Sequence, residues 1–408
     1  MMKKLTGRGV LFASALFAGS ALAQVSTPVS EPAPDQALVE LRHDVQERAD
    51  HQAYPIAGID AAQVREVLSG LKSVDPDEWA RAWAVMGQRN IDAAGAASDP
   101  NVKKNDLRQA WLDFHFGAWP AQNTAGKRAD YSKAINAYRE YGKLLNPPAE
   151  TIHVPFEGKE IVGYLRLPQG IARAPVVVDI GGLDEFKEYA IEHGSATFIG
   201  AGLGVFAIDM PGTGESGVPM EVGSERMIRV VIDYLGTRPD VDSQRIAVLG
   251  TSAGGYWSAV AGYTERQRLR AVVVRGGPIH EYFQADWQRK SWPTKEYLFG
   301  LKEARMFVYG FKPGEEDAFL QKVATFSLQT RGMLQQPSAP MFVVNGEKDT
   351  QVPIADLYLL LRTGTPKFAW VNPEGGHIGR SKDFSEDLIT EKVIVPWLTT
   401  MLAPTEVH

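Results

Sequence analysis

The chain has 408 residues, 44% of them hydrophobic and 23% charged, with a net charge of -6. That acidic balance leaves no basic stripe and excludes nucleic acid as a partner. The absence of cysteine excludes disulfides, thiolate nucleophiles, zinc–thiolate sites and iron–sulfur clusters. The length allows two domains, or one large domain with an extension.

Residues 1–23 read as a signal peptide. Lys3, Lys4 and Arg8 form a basic start, Val10 to Phe17 an apolar run, and Ala21-Leu22-Ala23 a small-x-small cleavage pattern. Cleavage is expected between Ala23 and Gln24, which makes the protein periplasmic or secreted. No later stretch is long and apolar enough for a membrane span, so no stable membrane insertion is expected after cleavage. Residues 24–36, rich in Pro, Ser and acid, read as a flexible lead-in.

Residues 37–148 read as a helical domain. Val64, Val67, Leu68 and Leu71 fall at helical spacing, as do Trp79, Trp83 and Met86; Leu107, Trp111 and Phe114; and Tyr131, Ile135 and Tyr138. Two helices open on Asp-Pro, at Asp75-Pro76 and Asp99-Pro100. The aspartate accepts orphan amides and the proline is pre-set for the first turn. The stripes are too apolar for this bundle of about four or five helices to stand alone.

From residue 149 to 404 short β-rich runs alternate with helical stretches. Thr151–Val154 and Ile161–Leu167 read as a hairpin. Pro175–Ile180, Gly204–Asp209, Arg245–Gly250, Ala271–Arg275, Pro340–Asn345 and Lys367–Val371 follow. Near-continuous apolar strands separated by helices imply a mostly parallel sheet covered on both faces. The fold class is α/β: an eight-stranded α/β-hydrolase sheet, mostly parallel with helices on both faces, preceded by an N-terminal helical domain. The long connection 281–339 reads as further helices that contribute to the pocket.

Gly250-Thr251-Ser252-Ala253-Gly254 fits Gly-x-Ser-x-Gly between a strand and a helix. That turn exposes a serine hydroxyl and aims a helix N-terminus at the reacting centre. A serine needs a base, and His377, just after the last strand, is the candidate. His43, His51 and His115 lie in the helical region, His153 and His193 precede the nucleophile, and His408 ends the chain. Asp349, after the strand Pro340–Asn345, is the acid that would orient His377, with Glu347 as the alternative. The order Ser252, Asp349, His377 is the hydrolase order. The amides of Ala253 and Leu183 are the expected oxyanion donors, with Gly182 as the fallback. Asp209–Ser216 (DMPGTGES) lacks the lysine of a phosphate loop and reads as structural. The histidines are scattered, with no His-x-x-x-His pair, so neither a metal nor a cofactor is expected.

These motifs resemble the α/β-hydrolase superfamily. With GGLDE at Gly181–Glu185, GTSAGGY at Gly250–Tyr256, TFSLQTRG at Thr325–Gly332 and NGEKDTQVP at Asn345–Pro353, the chain is similar to hydrolases with an N-terminal helical domain. Those are the fermentation–respiration switch esterases, 2,6-dihydroxypseudooxynicotine hydrolase and fungal polyketide-shortening hydrolases. The resemblance implies a lid over the carboxyl end of the sheet, an apolar or aromatic acyl substrate of small size, and a homodimer in related proteins. It also implies that Glu281 or His280 could activate water, as a carboxylate after the sixth strand does in the pseudooxynicotine enzyme. Three functions follow: hydrolysis of a carboxylic ester, hydrolysis of a carbon–carbon bond in a ketone or 1,3-dicarbonyl, or non-catalytic binding on a hydrolase scaffold.

Overall fold

The computed structural model describes residues 34–404. The expected signal peptide, its cleavage point, residues 24–33 of the lead-in and His408 lie outside the described residues.

Five helices come first: α1 (Pro34–Asp50), α2 (Ala61–Gly70), α3 (Pro76–Ala96), α4 (Pro100–Ala118) and α5 (Ala125–Gly142). α1 includes residues 34–36, which corrects the expected lead-in. Proline's fixed φ suits a first helical turn, so Pro34 starts the helix rather than preceding it. The two Asp-Pro starts form as capped helices. Asp75 accepts the amides of Asp77 and Glu78, and Asp99 that of Asn101. Asp60 caps α2 in the same way without a proline to mark it. The apolar stripes of α3, α4 and α5 bury Trp83, Trp111, Phe114 and Tyr138 against one another.

The eight strands are β1 (Glu150–Phe156), β2 (Lys159–Arg166), β3 (Ala174–Ile180), β4 (Gly204–Ile208), β5 (Val241–Thr251), β6 (Ala271–Arg275), β7 (Met341–Gly346) and β8 (Phe368–Asn372), in the order β1-β2-β4-β3-β5-β6-β7-β8. β1 and β2 form the hairpin, β2 runs antiparallel to β4, and every other pairing is parallel. β3, β4, β6 and β7 are buried along their whole length, as a sheet covered on both faces requires. β5 begins four residues before the expected Arg245, because Val241 pairs with Ala174 beyond an irregularity in the ladder.

α6 (Lys187–Gly200), α7 (Arg226–Thr237) and α8 (Ala253–Thr264) cover the sheet. α9 (Ala285–Ser291), α10 (Leu301–Val308) and α11 (Glu316–Ala324) occupy the connection between β6 and β7, and α12 (Ile354–Leu361) follows β7. One continuous set of buried apolar side chains runs from Leu38 through the sheet to Leu402, so the helices share the core of the sheet. Among the described residues no helix is long and apolar enough to cross a membrane.

A buried ionic cluster ties α5 to the sheet. The Lys187 ammonium, fully buried, lies 2.8 Å from Glu188, 3.0 Å from Asp209 and 2.8 Å from Glu215. The Tyr131 hydroxyl of α5 is 3.3 Å from the same ammonium, and Arg139 of α5 donates to Glu215 at 3.0 Å. Burial disfavours the charged lysine. The carboxylates of Asp209 and Glu188 outweigh that and hold its pKa well above the ordinary value. Asp209 also accepts the amides of Lys187 and Glu215, which fixes the DMPGTGES loop as a structural turn.

Candidate active site

β5 ends at Thr251 and α8 begins at Ala253. Ser252 between them holds φ 55° and ψ −123°. This is a sparsely populated conformation for a residue with a side chain, sustained only where the surroundings fix it. Two features do so. The Ser252 amide donates to the Arg275 carbonyl of β6 at 2.7 Å. The glycines of the motif let the backbones interlock: a Cβ on Gly254 would lie 2.2 Å from the Ile180 carbonyl, and one on Gly250 2.2 Å from the Gly254 carbonyl. The sequence pattern is thus a packing requirement of the turn.

Three side chains from three strand ends meet here. His377 Nε2 is 2.8 Å from Ser252 Oγ, and His377 Nδ1 is 2.8 Å from Asp349 Oδ2. Asp349 Oδ2 also accepts from Asn345 at 2.9 Å, and Oδ1 accepts the amides of Gln351 and Val352 at 2.8 and 2.9 Å. The carboxylate is held at both oxygens, so its orientation toward His377 is fixed. With Nδ1–H directed at that carboxylate, Nε2 is left as the acceptor for the serine hydroxyl. Glu347, the alternative acid, is exposed and accepts from Tyr358 instead.

A group the sequence did not reveal supports this arrangement. Glu296, from the β6–β7 connection, accepts the backbone amide of His377 through one oxygen. Its other oxygen accepts the amide and hydroxyl of Thr350 at 3.0 and 2.6 Å. It clamps the histidine loop to the aspartate loop. No local motif marks it, since it lies 81 positions from His377.

Leu183 and Ala253 line the same cavity as Ser252. Ala253 is the first residue of α8, so its amide has no acceptor within the helix. Gly182 passes so close that a Cβ there would lie 3.1 Å from Ser252 Cβ.

His280 and Glu281 are not brought to this cavity, which corrects the expectation attached to them. Glu281 is exposed. His280 Nδ1 lies 2.7 Å from Ser327 Oγ. The amides of residues 279–282 all point at the buried carboxylate of Asp356, at 2.8, 3.1, 2.6 and 3.2 Å. That carboxylate turns the chain here and directs both side chains elsewhere.

The cavity over Ser252 is about 20 Å³, room for a single water. Its other wall comes from outside the sheet: Tyr54 follows α1, Tyr282 and Tyr297 lie in the β6–β7 connection, and Leu301 and Arg305 are on α10. Asp184, next to Leu183, also lines it. Asp184 Oδ2 accepts from Trp119 Nε1 at 2.6 Å and from the Tyr54 hydroxyl. Burial raises the pKa of this carboxyl, and the Tyr54 donor pulls it back. Two residues of the helical region are therefore bonded to the residue that follows Leu183. The Arg380 guanidinium lies 4.3 Å from the Tyr54 ring centroid, and the pair separates the cavity from an outer groove that both also line.

Comparison with known proteins agrees with this architecture. The chain is 25% identical over 292 residues to the esterase FrsA of Photobacterium profundum, covering 70% of this chain and 68% of that one. It is 26% identical over 281 residues to an α/β hydrolase of an Acremonium species, covering 60% and 56%. It is also 26% identical over 229 residues to 2,6-dihydropseudooxynicotine hydrolase of Paenarthrobacter nicotinovorans, covering 55% and 57%. The matched stretch thus spans little more than half the length of the last two. The crystal structure of 2,6-dihydroxy-pseudo-oxynicotine hydrolase superposes with a TM-score of 0.69 at 21% identity, covering 85% of this chain and 94% of that one, and so shares its fold. The family model described as esterase FrsA-like matches residues 58–365, well over half of the chain. The chain belongs to the FrsA-like esterases, a family of α/β-fold hydrolases.

Proposed function

We propose that the protein is an exported serine hydrolase that cleaves a carboxylic ester through an acyl-enzyme. The observation that carries this is the continuous chain Ser252 Oγ, His377, Asp349, with 2.8 Å at each link and the serine held on a strained elbow. Ser252 Oγ attacks the ester carbonyl while His377 Nε2 takes its proton. Asp349 fixes the imidazole tautomer and stabilises the imidazolium. The amides of Ala253 and Leu183, with Gly182 in reserve, hold the oxyanion, and the N-terminus of α8 adds a favourable field. His377 returns the proton to the departing alkoxide. Water, activated by the same histidine, then releases the acid.

Tyr282, Tyr297 and Leu301 favour a small apolar or aromatic acyl group. The cavity has room for one water, so a substrate must displace part of its wall. Tyr54 and Arg380 are the side chains shared with the outer groove, which makes them the expected route. Carbon–carbon hydrolysis of a ketone or 1,3-dicarbonyl is the second reading, favoured by the similarity to a dihydropseudooxynicotine hydrolase. The exposed position of Glu281 counts against water activation by that residue.

Hydrolysis of a chain-length series of p-nitrophenyl esters tests the first reading. Wild type should turn over, and Ser252→Ala should lose about 10⁴-fold or more in kcat. Equal rates in both proteins would rule out Ser252 as the nucleophile. Acid plus alcohol as products supports ester cleavage; acid plus ketone or arene supports the second reading. Export predicts that the protein recovered from a bacterial host begins at Gln24, which intact-mass measurement reads directly.

A further inference from the structure

Arg305 on α10 is 2% exposed, and it lines the cavity that holds Ser252. A buried guanidinium is costly without an anionic partner. Arg275 and Arg331 have one, Glu386 at 3.1 Å and Glu225 at 2.7 Å, whereas the buried Arg166 donates only to the Ser195 hydroxyl and to the carbonyls of Pro147 and Asn146 and does not line the cavity. Arg305 makes no ion pair with any carboxylate among the described residues. Its hydrogen bonds go to neutral groups alone, namely the Gln288 side-chain oxygen at 3.2 Å, the Ser291 hydroxyl at 2.7 Å and the Gln351 carbonyl at 3.3 Å.

The donor count shows what is left. A guanidinium has five N–H groups. Nη1 uses both of its hydrogens, on Gln288 and Ser291, and Nη2 uses one, on Gln351. The Tyr282 ring packs against the group, 4.8 Å from centroid to guanidinium carbon. The remaining donors are Nε–H and the second Nη2–H. Nε and Nη2 share one edge of the guanidinium, the edge that takes a carboxylate in the two-bond, fork-to-fork manner. Arg305 lines one cavity with Ser252 and His377, and Gln351, which accepts from Arg305, donates its amide to Asp349.

We propose that Arg305 is the specificity-determining residue of the site: its free edge binds a negatively charged oxygen on the substrate, beyond the scissile carbonyl. This rests on the hydrolase reading above and names its substrate class. That class is an ester carrying a second carboxylate, or a 1,3-dicarbonyl whose enolate oxygen takes the same place. The shared chemistry is an oxyanion held by a fixed guanidinium fork. It also explains why a buried cation is set against neutral acceptors, since the substrate is its counter-ion.

The test separates this proposal from the catalytic one by reading binding where no turnover occurs. In the Ser252→Ala protein, calorimetry compares monoethyl adipate with ethyl hexanoate, and 1-phenylbutane-1,3-dione with 1-phenylbutan-1-one. At least one charged or enolisable member should bind about tenfold or more tightly than its neutral partner, a gap matching the strength of a charge-assisted bidentate pair. Adding Arg305→Met should close the gap, and Arg305→Lys, which keeps the charge and loses the fork, should retain part of it. Which pair shows the gap distinguishes carboxylate from enolate. Equal affinities within both pairs, or a gap that survives Arg305→Met, overturn the proposal. Should Arg305→Met not fold, Arg305→Lys is decisive: an unchanged gap overturns the proposal, and a gap reduced by about threefold or more supports it. Failure of wild type to hydrolyse any ester would instead count against Ser252, and the binding result would still stand.

Discussion

The cavity has two walls built in different ways. On the sheet side, Ser252, Asp349 and His377 follow β5, β7 and β8 directly, so the register of parallel strands sets their spacing. On the helical side, Tyr54, Tyr282, Tyr297 and Arg305 come from separate segments, brought together by packing across long stretches of chain. A strand-end residue is positioned by backbone hydrogen bonds a few residues away. A residue on these helices and their connecting turns is positioned by whichever side chains fill the core beneath it. The first wall is suited to fixed chemistry, and the second can change its residues without disturbing the reaction. Chemistry and selectivity should therefore be separable by mutation.

The strongest challenge to that separation is Asp349→Asn. The amide would favour the wrong imidazole tautomer at His377 while leaving the helical wall intact. Turnover should fall by about 10⁴-fold in kcat. The preference among substrates should stay as in wild type, because Arg305, Tyr282 and Tyr297 are untouched. Steady-state kinetics on two esters reads both quantities. A changed preference would mean that the walls are coupled and the comparison fails.

The same contrast explains what could be read in the sequence. The elbow was legible because Gly250 and Gly254 are demanded by backbone contacts inside one pentapeptide. Asp349 and His377 were legible because they follow apolar strands in a fixed order. The helices were legible from their stripes and from the Asp-Pro caps. Glu296 and Arg305 were not legible, since their partners are 54 and 81 positions away for the first and up to 46 for the second. Asp184 sat inside a noticed motif, but its bonds to Tyr54 and Trp119 join segments that no local pattern connects. Glu281 and His280 are attached to the site only by the family resemblance. A single buried carboxylate, Asp356, sets the turn that takes them away from it.

A second variant probes the seam between the two regions. Lys187 neutralises Glu188, Asp209 and Glu215 in a fully buried setting, with Tyr131 and Arg139 of α5 joined to the same network. Lys187→Met would leave Glu188 and Asp209 without their cation, while Arg139 still pairs with Glu215. Removing one partner of such a cluster costs about 3–5 kcal/mol. Urea unfolding should show a loss of that size at neutral pH. The loss should shrink as acid protonates the carboxylates. A loss below about 1 kcal/mol would mean that the seam is held by apolar packing alone.

The smallest effect on turnover is expected in the helical region, away from the chemistry. Asp113 on α4 is buried, with its oxygens accepting from Gln63 at 2.6 Å and Asn90 at 2.7 Å. Burial pushes its carboxyl from the ordinary 3.8 up to about 8, and the two amide donors only partly oppose that. The folded state therefore binds this proton more tightly than the unfolded chain does. Stability from Asp113 is complete below about pH 4 and is lost as the pH rises through about 8. In Asp113→Asn the neutral amide removes this titration. The melting temperature of the variant minus that of wild type should therefore rise steadily from about pH 5 to about pH 8. Ester turnover at any one pH should not change, because Asp113 does not line the cavity. A flat difference in melting temperature would show that Asp113 is ionised in its buried site. A matching change in turnover would show that the helical bundle acts on the sheet's chemistry through the shared core.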